Sequence, residues 1–66
     1  MPEITGSLAQ QIARLIRSDG MAEGTPLPER ALAERLHVSR SPVRTALCEL
    51  EGAGIVRPQA RGGHCV

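Results

Sequence analysis

Leu32-Ala33-Glu34-Arg35-Leu36-His37-Val38-Ser39-Arg40-Ser41-Pro42-Val43-Arg44 is the stretch whose reading decides the fold. Leu32 and Leu36 stand one helical turn apart, and Ala31 and Ala33 are small enough to admit a neighbouring helix. His37-Val38 breaks the period after barely two turns. Ser39 then offers a fresh N-cap, its hydroxyl able to accept from a backbone N–H of the next turn. Pro42 falls third in the new helix, inside the turn that has no intrahelical donors to lose. Val43, Leu47 and Leu50, at i, i+4 and i+7, form an inward stripe that Gly52 and Gly54 bring to an end. Two helices on a tight turn, the second opening with polar and basic groups, spell a helix-turn-helix.

The flanks extend this pattern. On the N-terminal side, Leu8, Ile12, Leu15 and Ile16 make a one-sided stripe that predicts a helix over about residues 8–18, with Ser7 as N-cap and Asp19-Gly20 as the stop. Residues 1–6 are polar and read as a flexible start. Gly20 to Pro28 holds two Gly and two Pro and is a connector, with Leu27 in a short strand; the next helix begins near Pro28. On the C-terminal side, Ile55-Val56-Arg57 and His64-Cys65-Val66 are short β-type runs around Gln59-Ala60-Arg61-Gly62-Gly63, a hairpin-turn signal. The expected fold is mainly α with a small β-hairpin: three helices plus a wing, one domain over residues 7–66.

Composition bounds this reading without deciding it. The chain has 66 residues and no Phe, Tyr or Trp, so its core must be aliphatic. A domain of this size buries only about 60% of the surface that its unfolded chain exposes, and its stability margin is thin. Net charge is +1, weak for a nucleic-acid binder, but the second half carries the positive excess and every basic residue is Arg. Arginine's planar fork matches phosphate and guanine edges, although a high-GC coding bias leaves the same composition. No apolar run approaches the ~20 residues of a membrane span, and there is no signal-peptide core. The expected setting is the cytoplasm, with Cys48 and Cys65 as reduced thiols rather than a bridge.

In a helix-turn-helix the second helix presents its N-terminal residues to base edges in the major groove of double-stranded DNA. Ser39, Arg40, Ser41 and Arg44 hold those positions, with Arg40 and Arg44 neighbours on the face opposite the apolar stripe. The helix end adds free N–H groups suited to a phosphate. Arg61-Gly62-Gly63-His64 makes a basic tip where a wing would reach the DNA backbone or minor groove. The bland alternative is a pair of solvated arginines, and the hairpin that follows them argues against it.

Three runs resemble the GntR family of bacterial regulators: Gly24-Thr25-Pro26-Leu27-Pro28-Glu29-Arg30-Ala31-Leu32-Ala33, then Val38-Ser39-Arg40-Ser41-Pro42-Val43-Arg44-Thr45-Ala46-Leu47, then Leu50-Glu51-Gly52-Ala53-Gly54-Ile55-Val56 with Arg61-Gly62. The likeness runs from about Leu8 to Val66, and the Ser-Arg-Ser-Pro-Val-Arg run is most similar to the FadR-like branch. The resemblance implies a winged helix-turn-helix that binds operator DNA to regulate transcription, with the recognition helix over about 40–51 and the wing over 59–64. It implies DNA contacts by Arg40 and Arg44, by the hydroxyls of Ser39 and Ser41 on phosphate, and by Gly62 and Gly63 with Arg61 and His64 beside them. Arg30 joins the set from the resemblance alone. It further implies a homodimer in a longer protein, and a small-molecule effector only through a further domain beyond this chain. The turn position usually filled by glycine is His37 here, a residue that tolerates a left-handed backbone better than most.

Other chemistry is thin. The acids of the second helix read as a solvated face. His37, Cys48, His64 and Cys65 are zinc-ligand types, but their spacing fits no compact ligand pair of a structural site, and Cys48 reads as a small buried hydrophobe beside Leu47. There is no nucleophile–base pairing, no phosphate-cradling glycine loop and no room for a cleft, so neither an enzyme nor a cofactor is expected. A winged helix used for protein contacts is the rival reading. It calls for an apolar patch on the third helix, where this chain places Arg and Ser.

Overall fold

The computed structural model describes residues 7–66; the expected flexible start, residues 1–6, lies outside them. The first helix, α1 (Leu8–Ser18), opens on Ser7, whose hydroxyl accepts from the Gln10 N–H at 3.2 Å while the Gln10 side chain accepts from the Ser7 N–H at 3.1 Å. This reciprocal box satisfies two donors that a helix start otherwise leaves free. Ala9, Ile12 and Ile16 form its buried face. A connector leads to β1 (Pro26–Leu27), then to α2 (Glu29–Leu36), α3 (Arg40–Gly52), β2 (Arg57–Pro58) and β3 (His64–Cys65).

The helices meet on the aliphatic stripe. Val43 and Leu47 of α3 are fully buried, with Ala46 and Leu50 nearly so, and they share one core with Ile12, Ile16, Leu32, Ala33, Leu27 and Val56. The second helix contributes Leu32 and Ala33, whereas Ala31 is exposed and Leu36 only half-buried. An eight-residue helix turns about 100° per residue, so of two alanines at different angles only one faces the core. Cys48 is likewise exposed, against the expectation of burial, because it lies one residue round from Leu47 on the outer face.

The sheet has three strands in the order β1-β3-β2, both pairings antiparallel. The hairpin was expected; the pairing of Pro26 with Cys65 and of Leu27 with His64 adds a third strand from the connector. This clips the wing to the entrance of α2. The second strand starts at Arg57, later than expected, since the Ile55 N–H is taken by the Leu50 carbonyl at 2.9 Å and leaves Ile55 outside the sheet and 43% exposed. At the wing tip, the Gln59 N–H donates the hairpin's closing bond to the Gly63 carbonyl at 2.9 Å, and Gly62 and Gly63 both hold positive φ, which lets the chain reverse without a strained β-carbon.

The turn between α2 and α3 is carried by His37 at φ 59°, ψ 45°, the one non-glycine residue with positive φ among the described residues. A β-carbon there sits close to the following carbonyl oxygen, at a cost of about 1–2 kcal/mol that glycine avoids. Glycine also loses more freedom on folding, which offsets part of the gain. His37→Gly is therefore expected to raise the thermal midpoint by roughly 2–8 °C. A calorimetric scan in which the variant melts below the native chain would mean that the His37 side chain makes a stabilising contact.

Candidate nucleic-acid interface

The outer side of the molecule is built where α3 begins. Ser39 occupies the N-cap position with extended backbone, but its hydroxyl makes no capping bond, contrary to expectation. The side chain thus stays exposed beside the first-turn N–H groups of α3. Pro42 lacks an N–H, so the free donors at this helix end are those of Ser39, Arg40 and Ser41. Arg40, Ser41, Arg44 and Thr45 line the exposed face that follows.

Arg40 and Arg44 do not stand alone on that face. Arg44 donates from Nε to Glu29 Oε2 at 3.1 Å and from Nη2 to Oε1 at 3.2 Å, a two-pronged bond to the first residue of α2. Arg40 reaches the same carboxylate, with Nη2 at 3.9 Å from Oε1. The Glu29 side chain is only 16% exposed, while its partners are 64% and 63% exposed. The hydrogen bond from Arg44 is the main cause that holds the Glu29 carboxyl below its ordinary value, outweighing the opposite pull of burial; the same bond raises Arg44. Glu29 is thus no part of a solvated face. It joins α2 to Arg44 of α3 across fifteen positions of sequence.

The other predicted residues fall at distinct places. Arg30 projects from the start of α2 at 81% exposure, 3.6 Å from Glu34 one turn on. Arg61, Gly62 and Gly63 form the exposed wing tip, and among the described residues Arg61 has no acidic partner. Arg57, at the wing's base, meets Glu23 at 3.2 Å. Between α3 and the wing runs an open cleft of about 360 Å³, with Arg40 along one part and Arg61, Gly62 and Gly63 along another; Glu29 and His64 also line it. The expectation that there was no room for a cleft is corrected by this open groove.

His64 is the least exposed of the predicted residues. It was expected beside the wing tip as a DNA contact; it follows Gly63 directly as the first residue of β3, paired with Leu27 and Pro58, and its side chain is only 10% exposed. Its Nε2 lies 2.9 Å from Glu51 Oε1 near the end of α3, so the ring ties wing to helix. A two-residue strand alternates its faces, and the face that carries position 64 turns inward. Among the described residues no group of three or more His, Cys, Asp and Glu side chains gathers as a metal site, both cysteines are free, and no helix is long and apolar enough to cross a membrane.

Comparison with known proteins places this geometry in context. The family profile described as "Bacterial regulatory proteins, gntR family" matches residues 4–66. The chain is similar to the "HTH-type transcriptional repressor RspR" of Escherichia coli strain K12, with 42% identity over 66 residues that cover 91% of this chain and 28% of that protein. Identity and coverage are the same with the "Uncharacterized HTH-type transcriptional regulator YdfH" of Shigella flexneri. The chain thus spans 28% of the length of these curated relatives.

Proposed function

The chain belongs to the gntR family of bacterial regulatory proteins, and from that premise we propose that α3 lies in the major groove of an operator while the wing follows the backbone or minor groove beside it. Membership makes this a DNA-binding domain of transcription regulation, not an enzyme. The observation that carries the finer reading is the shared outer side of Arg40, Arg44, the start of α3 and the glycine-tipped wing with Arg61. The N–H groups of the first turn of α3 and the hydroxyls of Ser39 and Ser41 take phosphates, which sets the register. Arg44 or Arg40 then reads guanine through N7 and O6, and Arg30 and Arg61 hold the flanking backbone.

The exposed face of α3 is polar and basic over its first two turns, which speaks against a winged helix specialised for protein contacts. The Ser39–Arg44 run supports a place in the FadR-like branch. In the cytoplasm, two copies of a longer protein would place two such heads on a palindrome-like operator, with an effector bound by a further domain.

The division of labour is testable. A pool of random duplexes is enriched on the native chain, and single-base variants of the enriched site are then titrated. Arg44→Ala is expected to relax preference at one base pair, losing roughly 5- to 150-fold on the enriched site. Arg61→Ala is expected to weaken all duplexes evenly. Altered base preference in Arg61→Ala with none in Arg44→Ala would reverse the assignment of helix and wing.

A further inference from the structure

We propose that Glu29 is a specificity-determining positioning residue, a carboxylate clamp that fixes the guanidinium of Arg44 for base reading and withholds it from non-cognate backbone. The inference rests on the reading of α3 as the recognition helix.

The geometry of the fork carries it. A guanidinium has five N–H donors on two usable edges. Glu29 occupies the edge made by Nε and Nη2, at 3.1 and 3.2 Å. The end edge, with one N–H from Nη1 and the second from Nη2, stays free and is the parallel pair that matches guanine N7 and O6. The clamp and the base therefore use different hydrogens of the same group. Arg44 can keep both Glu29 bonds while it reads a base.

The carboxylate is well placed to hold. Glu29 is the first residue of α2, directly after Pro28 and the buried Leu27, whose strand is paired to the wing at His64. Its own side chain is mostly shielded while the arginine it holds is not. The anchor belongs to the scaffold and the head to the surface. A long arginine held in one pose binds its target with less loss of side-chain freedom.

On non-cognate DNA the same clamp acts as a restraint. An unheld arginine swings to the nearest phosphate and adds sequence-independent affinity. Arg44 must break a two-pronged bond to do so, and Arg40, which leans on the same carboxylate at 3.9 Å, is drawn the same way. Glu29 thus lowers the affinity for arbitrary sequence more than the affinity for the right one.

The test uses Glu29→Gln, which keeps the shape but offers one acceptor oxygen where the fork needs two. The probes are the duplex enriched from the random pool and a scrambled duplex of equal composition, each titrated at several salt concentrations. The ratio of the two affinities is expected to fall by roughly 5- to 150-fold. Binding to the scrambled duplex is expected to gain a salt slope steeper by about 0.9, one more phosphate. A folded Glu29→Gln chain that keeps the native ratio overturns the clamp while leaving the DNA-binding reading intact. A native chain that enriches no sequence overturns that reading and the clamp with it. If the variant does not fold, the native chain still decides: the Arg44 Nε–H, followed by nitrogen-15 spectroscopy, is expected to stay protected from exchange in the complex with the enriched duplex. Exchange as fast as that of Arg61 overturns the proposal.

Discussion

Leu47→Ala is expected to leave the chain substantially unfolded at 37 °C, while Ala in place of its neighbour Cys48 is expected to be nearly silent. Leu47 is fully buried at the middle of α3. Leucine-to-alanine changes at such sites cost about 2–5 kcal/mol, the loss of transfer energy plus the cavity left behind. At about 0.05–0.15 kcal/mol per residue, a domain of this length has roughly 3–10 kcal/mol in all. With no aromatic side chain in the sequence, the core lacks the largest burial per residue, which points to the lower part of that range. Cys48 is exposed, and surface changes of this kind usually stay within about 0.5 kcal/mol. Urea titration followed by far-ultraviolet circular dichroism measures both. A Leu47→Ala chain that loses less than about 1 kcal/mol would show that the Val43–Leu47–Leu50 stripe does not form the core.

What the sequence makes legible is local. Ser7 caps α1 because a hydroxyl reaches three residues, and the α3 stripe repeats at the period of the helix itself. Pro28 and Pro42 fall where a helix start tolerates them. The misreadings on the helices come from setting that period aside: Ala31 and Cys48 each lie about 100° round from a residue that faces the core, and the rule that buries Leu32 and Leu47 exposes them. His37 stands apart. The resemblance marked its position as one usually filled by glycine, and the left-handed turn it takes is the physical reason.

The site was legible only as far as it is local too. Arg40, Arg44 and the wing glycines announce themselves by position in a helix start and a hairpin. Glu29 does not, because its partner lies fifteen residues on and no periodicity links them. A lone acid in the first turn of a helix satisfies the helix dipole on its own, and that sufficient local reason hides the longer bond. His64 and Glu51 meet across thirteen residues for the same kind of reason. The third strand, two residues long, is too short for an alternation to be read, and it exists because β3 offers a free edge where the connector passes.

These pairings shape the response of binding to salt. Each phosphate neutralised contributes about −0.9 to the slope of log affinity on log salt. The wing and helix starts offer Arg30, Arg40, Arg44 and Arg61, and three of these already face an acid within the protein. Arg30 meets Glu34 on an exposed surface, where an ion pair is worth about 0–1 kcal/mol and gives way readily to a phosphate. Arg44 is held more firmly and is directed to a base. A single head is therefore expected to show a slope of about −2.7 to −3.6, three to four phosphates, so that affinity falls roughly 40- to 150-fold between about 50 and 200 mM salt. Arg61→Ala, which removes the one of these four arginines with no acidic partner among the described residues, is expected to flatten the slope by close to one phosphate, about 0.9. Arg57→Ala should change it less, because the Arg57 guanidinium already meets Glu23. Fluorescence anisotropy on a labelled duplex over that range of salt gives all three slopes. Binding that persists with no salt dependence would show that the arginines do not carry the contact with DNA.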